Sequence, residues 1–134
     1  MERRVSTRVS VGIGIHIRLS DQITDAQIMN LSMDGMFVKT PLTSSRTALL
    51  LITNTQHNEE LVLQFSLGKE SEACIAIGRV AWRSDLGFGI DFTNVNEAFE
   101  IFTDRLIEAD SLSYQDKVDL LSSIQDPVIQ LKKD

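Results

Sequence analysis

The stretch Val9-Ser10-Val11-Gly12-Ile13-Gly14-Ile15-His16-Ile17-Arg18-Leu19 decides the fold. Every odd position is aliphatic, and the even positions are small, polar or charged. Successive side chains on an extended backbone point to opposite faces, so this period of two marks a strand with one face in a core and the other in water. A helix would place its apolar residues every third or fourth position instead.

Working outward, Asp21 begins a turn, and Ile23 to Leu31 reads as a second, less regular strand. Met33-Asp34-Gly35 is a turn, because Gly35 tolerates positive φ and Asp34 can bond nearby backbone. Met36 to Lys39 resumes as a short strand that Pro41 stops. The apolar runs Ala48–Ile52 and Leu61–Phe65 flank a polar turn and suggest a hairpin, or a short helix in part of the first. Ala73 to Trp82 is a long apolar run in which Gly78 and Arg79 suggest a bulge or a close contact. Ser84-Asp85-Leu86-Gly87 turns the chain, and Phe88 to Phe92 pairs back. Some six or seven strands joined by polar turns indicate a mainly β fold, a closed antiparallel barrel.

The period changes after Val95. Ala98, Phe99, Phe102, Leu106 and Ile107 recur at helical intervals, with Asn94 or Asn96 as the cap. A second helix is expected from Ser113 to about Ser123, Pro127 lies beyond it, and Lys132-Lys133-Asp134 reads as a frayed tail. The chain is thus expected to be one domain over residues 1–134: an arginine-bearing flexible arm at 1–8, a barrel at 9–93 and one or two C-terminal α-helices at 95–124.

Composition narrows the function. Nineteen acidic residues against thirteen lysines and arginines leave a net charge of −6. Duplex nucleic acid carries a charge every ~1.7 Å and is tracked by basic stripes, so a nucleic acid polymer is not an expected partner. No apolar run approaches the ~18–20 residues that cross a bilayer, so membrane insertion is not expected. The arginines near the start lead into a strand, not into the apolar core of a signal peptide. Cys74 is the single cysteine, which excludes an internal disulfide; it reads as packing in a reducing, cytoplasmic setting.

Catalytic and metal patterns find no support. His16 and His57 lack Cys, Asp or Glu at metal-ligand spacing and read as solvated; Glu59-Glu60 reads as a turn. No enzyme activity, metal or cofactor is expected. Gly12 and Gly14 lie within a strand and Gly87-Phe88-Gly89 leads into one, whereas a dinucleotide fingerprint opens a helix.

Two features do point to a ligand. Arg3, Arg4 and Arg8 concentrate positive charge at one end of an acidic chain, and a guanidinium suits both phosphate oxygens and the O6/N7 edge of guanine. Asn30-Leu31-Ser32-Met33-Asp34-Gly35 adds short polar groups at Asn30 and Ser32, with Gly35 permitting close backbone approach. These are two halves of a pocket for a small, anionic, guanine-containing ligand.

In that order, Arg4-Val5-Ser6-Thr7-Arg8 and Asn30-Leu31-Ser32-Met33-Asp34-Gly35 resemble the R-x-x-x-R and [D/N]-x-S-x-x-G motifs of the PilZ domain family. Gly78-Arg79-Val80-Ala81-Trp82 and Gly87-Phe88-Gly89-Ile90-Asp91-Phe92 are similar to its later hairpin, so the resemblance covers about residues 2 to 108. It implies a six-stranded antiparallel β-barrel and a bacterial receptor for cyclic di-GMP. It further implies that Arg4 and Arg8, assisted by Arg3, clamp phosphates and guanine edges. Asn30 and Ser32 would bond a guanine edge or a phosphate, and Gly35 would shape the turn behind them. Trp82 has two readings, stacking on guanine or packing in the barrel. The ligand would fold the arm over the barrel, and the signal would pass to an unidentified effector protein. The alternative is a PilZ-like adaptor that binds a protein without nucleotide.

Overall fold

A computed structural model describes residues 7–19, 22–40, 60–68 and 71–131. Its elements run β1 (Val9–Leu19), β2 (Gln22–Leu31), β3 (Gly35–Lys39), β4 (Glu60–Ser66), β5 (Cys74–Ser84), β6 (Gly87–Val95), α1 (Glu97–Leu112), α2 (Tyr114–Ser122) and β7 (Gln125–Leu131). The strands close into a barrel in the order β1-β2-β3-β6-β5-β4-β7. Residues 1–6, Ala48–Ile52, His57 and the tail 132–134 lie outside the described residues.

The alternation of β1 operates as expected. Val9, Val11, Ile13, Ile15 and Ile17 are buried, while Ser10, Gly12, Gly14, His16 and Arg18 are exposed. Opposing strands fill the same interior with Ile28, Val38, Leu63, Val80, Phe88 and Ile90. Burying one such side chain stabilises by ~1.5–3 kcal/mol, so slipping any strand by one residue would forfeit several such contributions at once. Cys74 is packed here, and burial, with Glu72 adding to it, pushes its thiol up to about 11. It therefore stays a neutral thiol near neutral pH.

The barrel has seven strands, not the expected six, and is not wholly antiparallel. The additional strand is β7, which pairs antiparallel with β4 and parallel with β1. The two helices before it form a crossover long enough to bring the chain back in the parallel sense. Pro127 lacks an N–H and cannot donate to a ladder. Here it falls where the β4–β7 register shifts, between the Ser66↔Gln125 and Gln64↔Val128 pairs. The preceding Asp126 takes φ +53°, a left-handed value that Asp tolerates better than most residues. Past this bulge only Val128–Leu131 remain, with Ile129 and Leu131 turned inward, too short a run for periodicity to reveal.

Helix α1 lies against β5 and β1 and buries Phe99, Phe102, Thr103, Leu106 and Ala109, spaced as one helical face requires. Phe102 meets Phe65 edge-on at 5.1 Å, and Phe99 meets Phe92 at 5.3 Å. Its cap is Asn96, and the same residue fastens the helix to the barrel. The Asn96 Oδ1 accepts from Phe99 N and from Ile75 N, each at 3.0 Å, and its Nδ2 donates to Ala73 O at 2.8 Å. Ser113 ends α1 and caps α2, its hydroxyl accepting from Asp116 N at 3.2 Å.

Replacing Asn96 removes a cap and takes the side-chain partner from two backbone groups, Ile75 N in β5 and Ala73 O just before it. Asn96→Ala is expected to cost about 2–3 kcal/mol in denaturant unfolding, against less than ~0.5 kcal/mol for Asn94→Ala. Equal effects of the two substitutions would contradict this anchoring role.

Candidate functional site

The register of five strands lays one row of residues across the outside of the barrel. Ser10 pairs with Asn30, Asn30 with Phe37, Phe37 with Gly89, and Gly89 with Trp82. Ser10, Asn30, Phe37 and Gly89 lie outward by parity, since Val9, Leu31, Met36, Val38, Phe88 and Ile90 beside them are buried, and the register shift between Val80 and Trp82 turns Trp82 to the same face. Gly35, Asp91, Arg79 and Glu60 form the neighbouring row.

Gly89 contributes no side chain to the middle of its row. A Cβ there would fall on the Trp82 indole, at Nε1 and Cε2. The indole therefore lies down over β6, where it stacks on Phe37 with ring centroids 5.3 Å apart and planes 11° from parallel. Trp82 remains 49% exposed, so it is an outer-face aromatic and not part of the barrel interior.

Arg8 precedes Ser10 by two residues and shares its face. Its Nη1 donates to Asn30 Oδ1 at 2.8 Å. Among the described residues no carboxylate lies within ion-pair distance of Arg8, so its charge and its other donors remain available. Arg8, Asn30, Phe37, Trp82, Gly89 and Asp91 line a pocket of about 300 Å³ that Met36 and Ile90 complete. Small-molecule pockets run ~300–1,000 Å³, so this one suits part of a dinucleotide, such as a base.

Ser32 and Gly35 stand behind the pocket. Ser32 is fully buried; its Oγ accepts from Asp34 N and Gly35 N, each at 3.1 Å, and donates to Gly35 O at 3.3 Å. Two acceptor sites and one donor are the whole capacity of a hydroxyl, so Ser32 holds the turn together. A Cβ on Gly35 would strike the Ile90 carbonyl oxygen across the β3–β6 ladder, which no side-chain movement can relieve. This turn fixes the start of β3 and so the position of Phe37.

Of the residues predicted from sequence, Arg8, Asn30 and Trp82 meet at one pocket, Ser32 and Gly35 support it, and Arg3 and Arg4 lie outside the described residues. Phe37, Gly89 and Asp91 escaped the sequence reading. The available signal was Phe37 itself, a large apolar residue on the outward parity of β3. Among the described residues no group of His, Cys, Asp and Glu could hold a metal, and no helix is long and apolar enough to cross a membrane.

The PilZ domain family model matches residues 2–109. The chain belongs to the PilZ domain family. No curated protein matches it. PilZ domains are binding and adaptor modules, not enzymes, and the family is one that binds cyclic di-GMP, although some members bind no nucleotide. Helix α2 and the closing strand β7 lie beyond the matched stretch of this PilZ chain.

Gly89→Ala is expected to lift the indole off Phe37, shifting Trp82 emission to longer wavelength and costing roughly 0.5–1.5 kcal/mol, the worth of an aromatic pair. An unchanged emission maximum would contradict the close seating of Trp82 on Gly89.

Proposed function

We propose that this PilZ protein is a non-enzymatic cyclic di-GMP receptor that relays the messenger to a partner protein. The observation that carries the reading is the bond from Arg8 to Asn30. It joins the R-x-x-x-R and N-x-S-x-x-G halves, 22 residues apart in sequence, at the edge of an aromatic-walled pocket. Cyclic di-GMP offers two phosphates and two guanines. Arg8, with Arg3 and Arg4 of the same basic segment, answers the phosphates and the Hoogsteen edges, where a bidentate contact is worth ~1–3 kcal/mol of discrimination. The exposed indole of Trp82 supplies a surface for base stacking, worth ~1–3 kcal/mol. Asn30 both orients Arg8 and faces the ligand, whereas Ser32 and Gly35 act through the turn. Micromolar affinity requires only about −8 kcal/mol, within reach of these contacts after ordering costs.

For relay, nucleotide closing over the outer row changes the shape and charge of that face. Leu112 and Tyr114 stand exposed where α1 meets α2 and offer apolar contact to an effector protein.

Calorimetric titration with cyclic di-GMP tests the reading. Saturable heat is expected, with Arg8→Ala weakening affinity at least ~tenfold, or about 1.4 kcal/mol. No heat with the native chain would favour the nucleotide-blind adaptor, and unchanged affinity in Arg8→Ala would remove the clamp.

A further inference from the structure

Asp91 is an acid lining a pocket whose proposed ligand is an anion, and the arginine chemistry does not account for it. It follows Gly89 by two residues on β6, so its side chain projects from the same outer face as the Trp82 indole. It is exposed and lines the pocket together with Arg8 and Asn30. Its cross-strand neighbours are Gly35, which has no side chain, and Arg79. Among the described residues no cation lies within ion-pair distance of it, Arg79 included.

A carboxylate beside phosphate raises the energy of binding unless it meets hydrogen-bond donors. Guanine presents such donors on its Watson–Crick edge, where N1–H and the N2 amino group lie side by side and match the two oxygens of a carboxylate. Adenine presents a lone pair at N1 in the same place, which a carboxylate repels. We propose that Asp91 accepts from guanine N1 and N2 and sets the base specificity of this pocket. The inference rests on the receptor reading above. Arg8 then supplies the donors and Asp91 the acceptors, so that one base can be read from both edges. Specificity of this kind combines an attractive contact with the right base and a repulsive one with the wrong base.

The test compares the native chain with Asp91→Asn and Asp91→Ser by calorimetry against cyclic di-GMP, cyclic di-AMP and cyclic di-IMP, whose hypoxanthine lacks the N2 amino group. The native chain should prefer cyclic di-GMP. Both substitutions should weaken its binding by ~tenfold or more, the effect of losing a charge-assisted pair, and narrow the preference over cyclic di-AMP. They should cost less with cyclic di-IMP, which has one donor fewer to lose. Among the described residues the Asp91 side chain has no hydrogen-bond partner, so melting temperatures should match the native chain. Equal or tighter binding of cyclic di-GMP by both variants overturns the assignment to Asp91 while leaving the receptor reading standing. Absence of cyclic di-GMP binding by the native chain overturns both.

Discussion

Gly89 has no side chain, and the outer surface of this barrel is organised around that gap. The strands β3, β6 and β5 run side by side, and a residue of any size at their centre would hold Phe37 and Trp82 apart. With hydrogen there instead, the two rings close over β6 in a near-parallel stack and present one flank of an aromatic wall. The remaining pocket features take their places from this wall and from the ladder beneath it. Asn30 is the next partner along the row, Arg8 bonds to Asn30, and Asp91 stands two residues along the same strand.

The alternation that fills the core also sets the site. Phe88 and Ile90 point inward because the barrel needs them, and Gly89 and Asp91 therefore point outward. Closure by β7 makes that assignment rigid, since a closed barrel leaves no edge along which register can slip. The turn at Ser32 adds a second restraint. Its hydroxyl ties Asp34 and Gly35 to the end of β2, and Gly35 lets β3 approach Ile90 closely enough to complete the ladder. Ser32 thus supports the pocket from behind without lining it.

What could be read in the sequence divides along physical lines. Strong periodicity over many residues was legible: β1 by its strict alternation and α1 by its apolar stripe, with the turns before Gly35 and Gly87 legible by their Gly and Asp content. The meeting of Arg8 with Asn30 was legible only through motif order, because nothing in the spacing itself says which strands pair. β7 was not legible. Its inward residues are just Ile129 and Leu131, and Pro127 opposes a strand until the bulge that accommodates it is seen. The partnership of Phe37, Gly89 and Trp82 was hidden for a related reason. Three residues on three strands become neighbours only once register is known, and the bulges in β5–β6 pairing shift that register by whole residues.

Trp82 is the chain's one tryptophan and belongs to the pocket wall, so it reports on occupancy without any label. The most direct measurement is its emission during titration with cyclic di-GMP, followed in parallel with calorimetric heat. Saturable quenching that tracks the heat is expected, as a guanine comes to rest against the indole. Heat that saturates while Trp82 emission stays constant would place the nucleotide elsewhere on the protein and contradict the account.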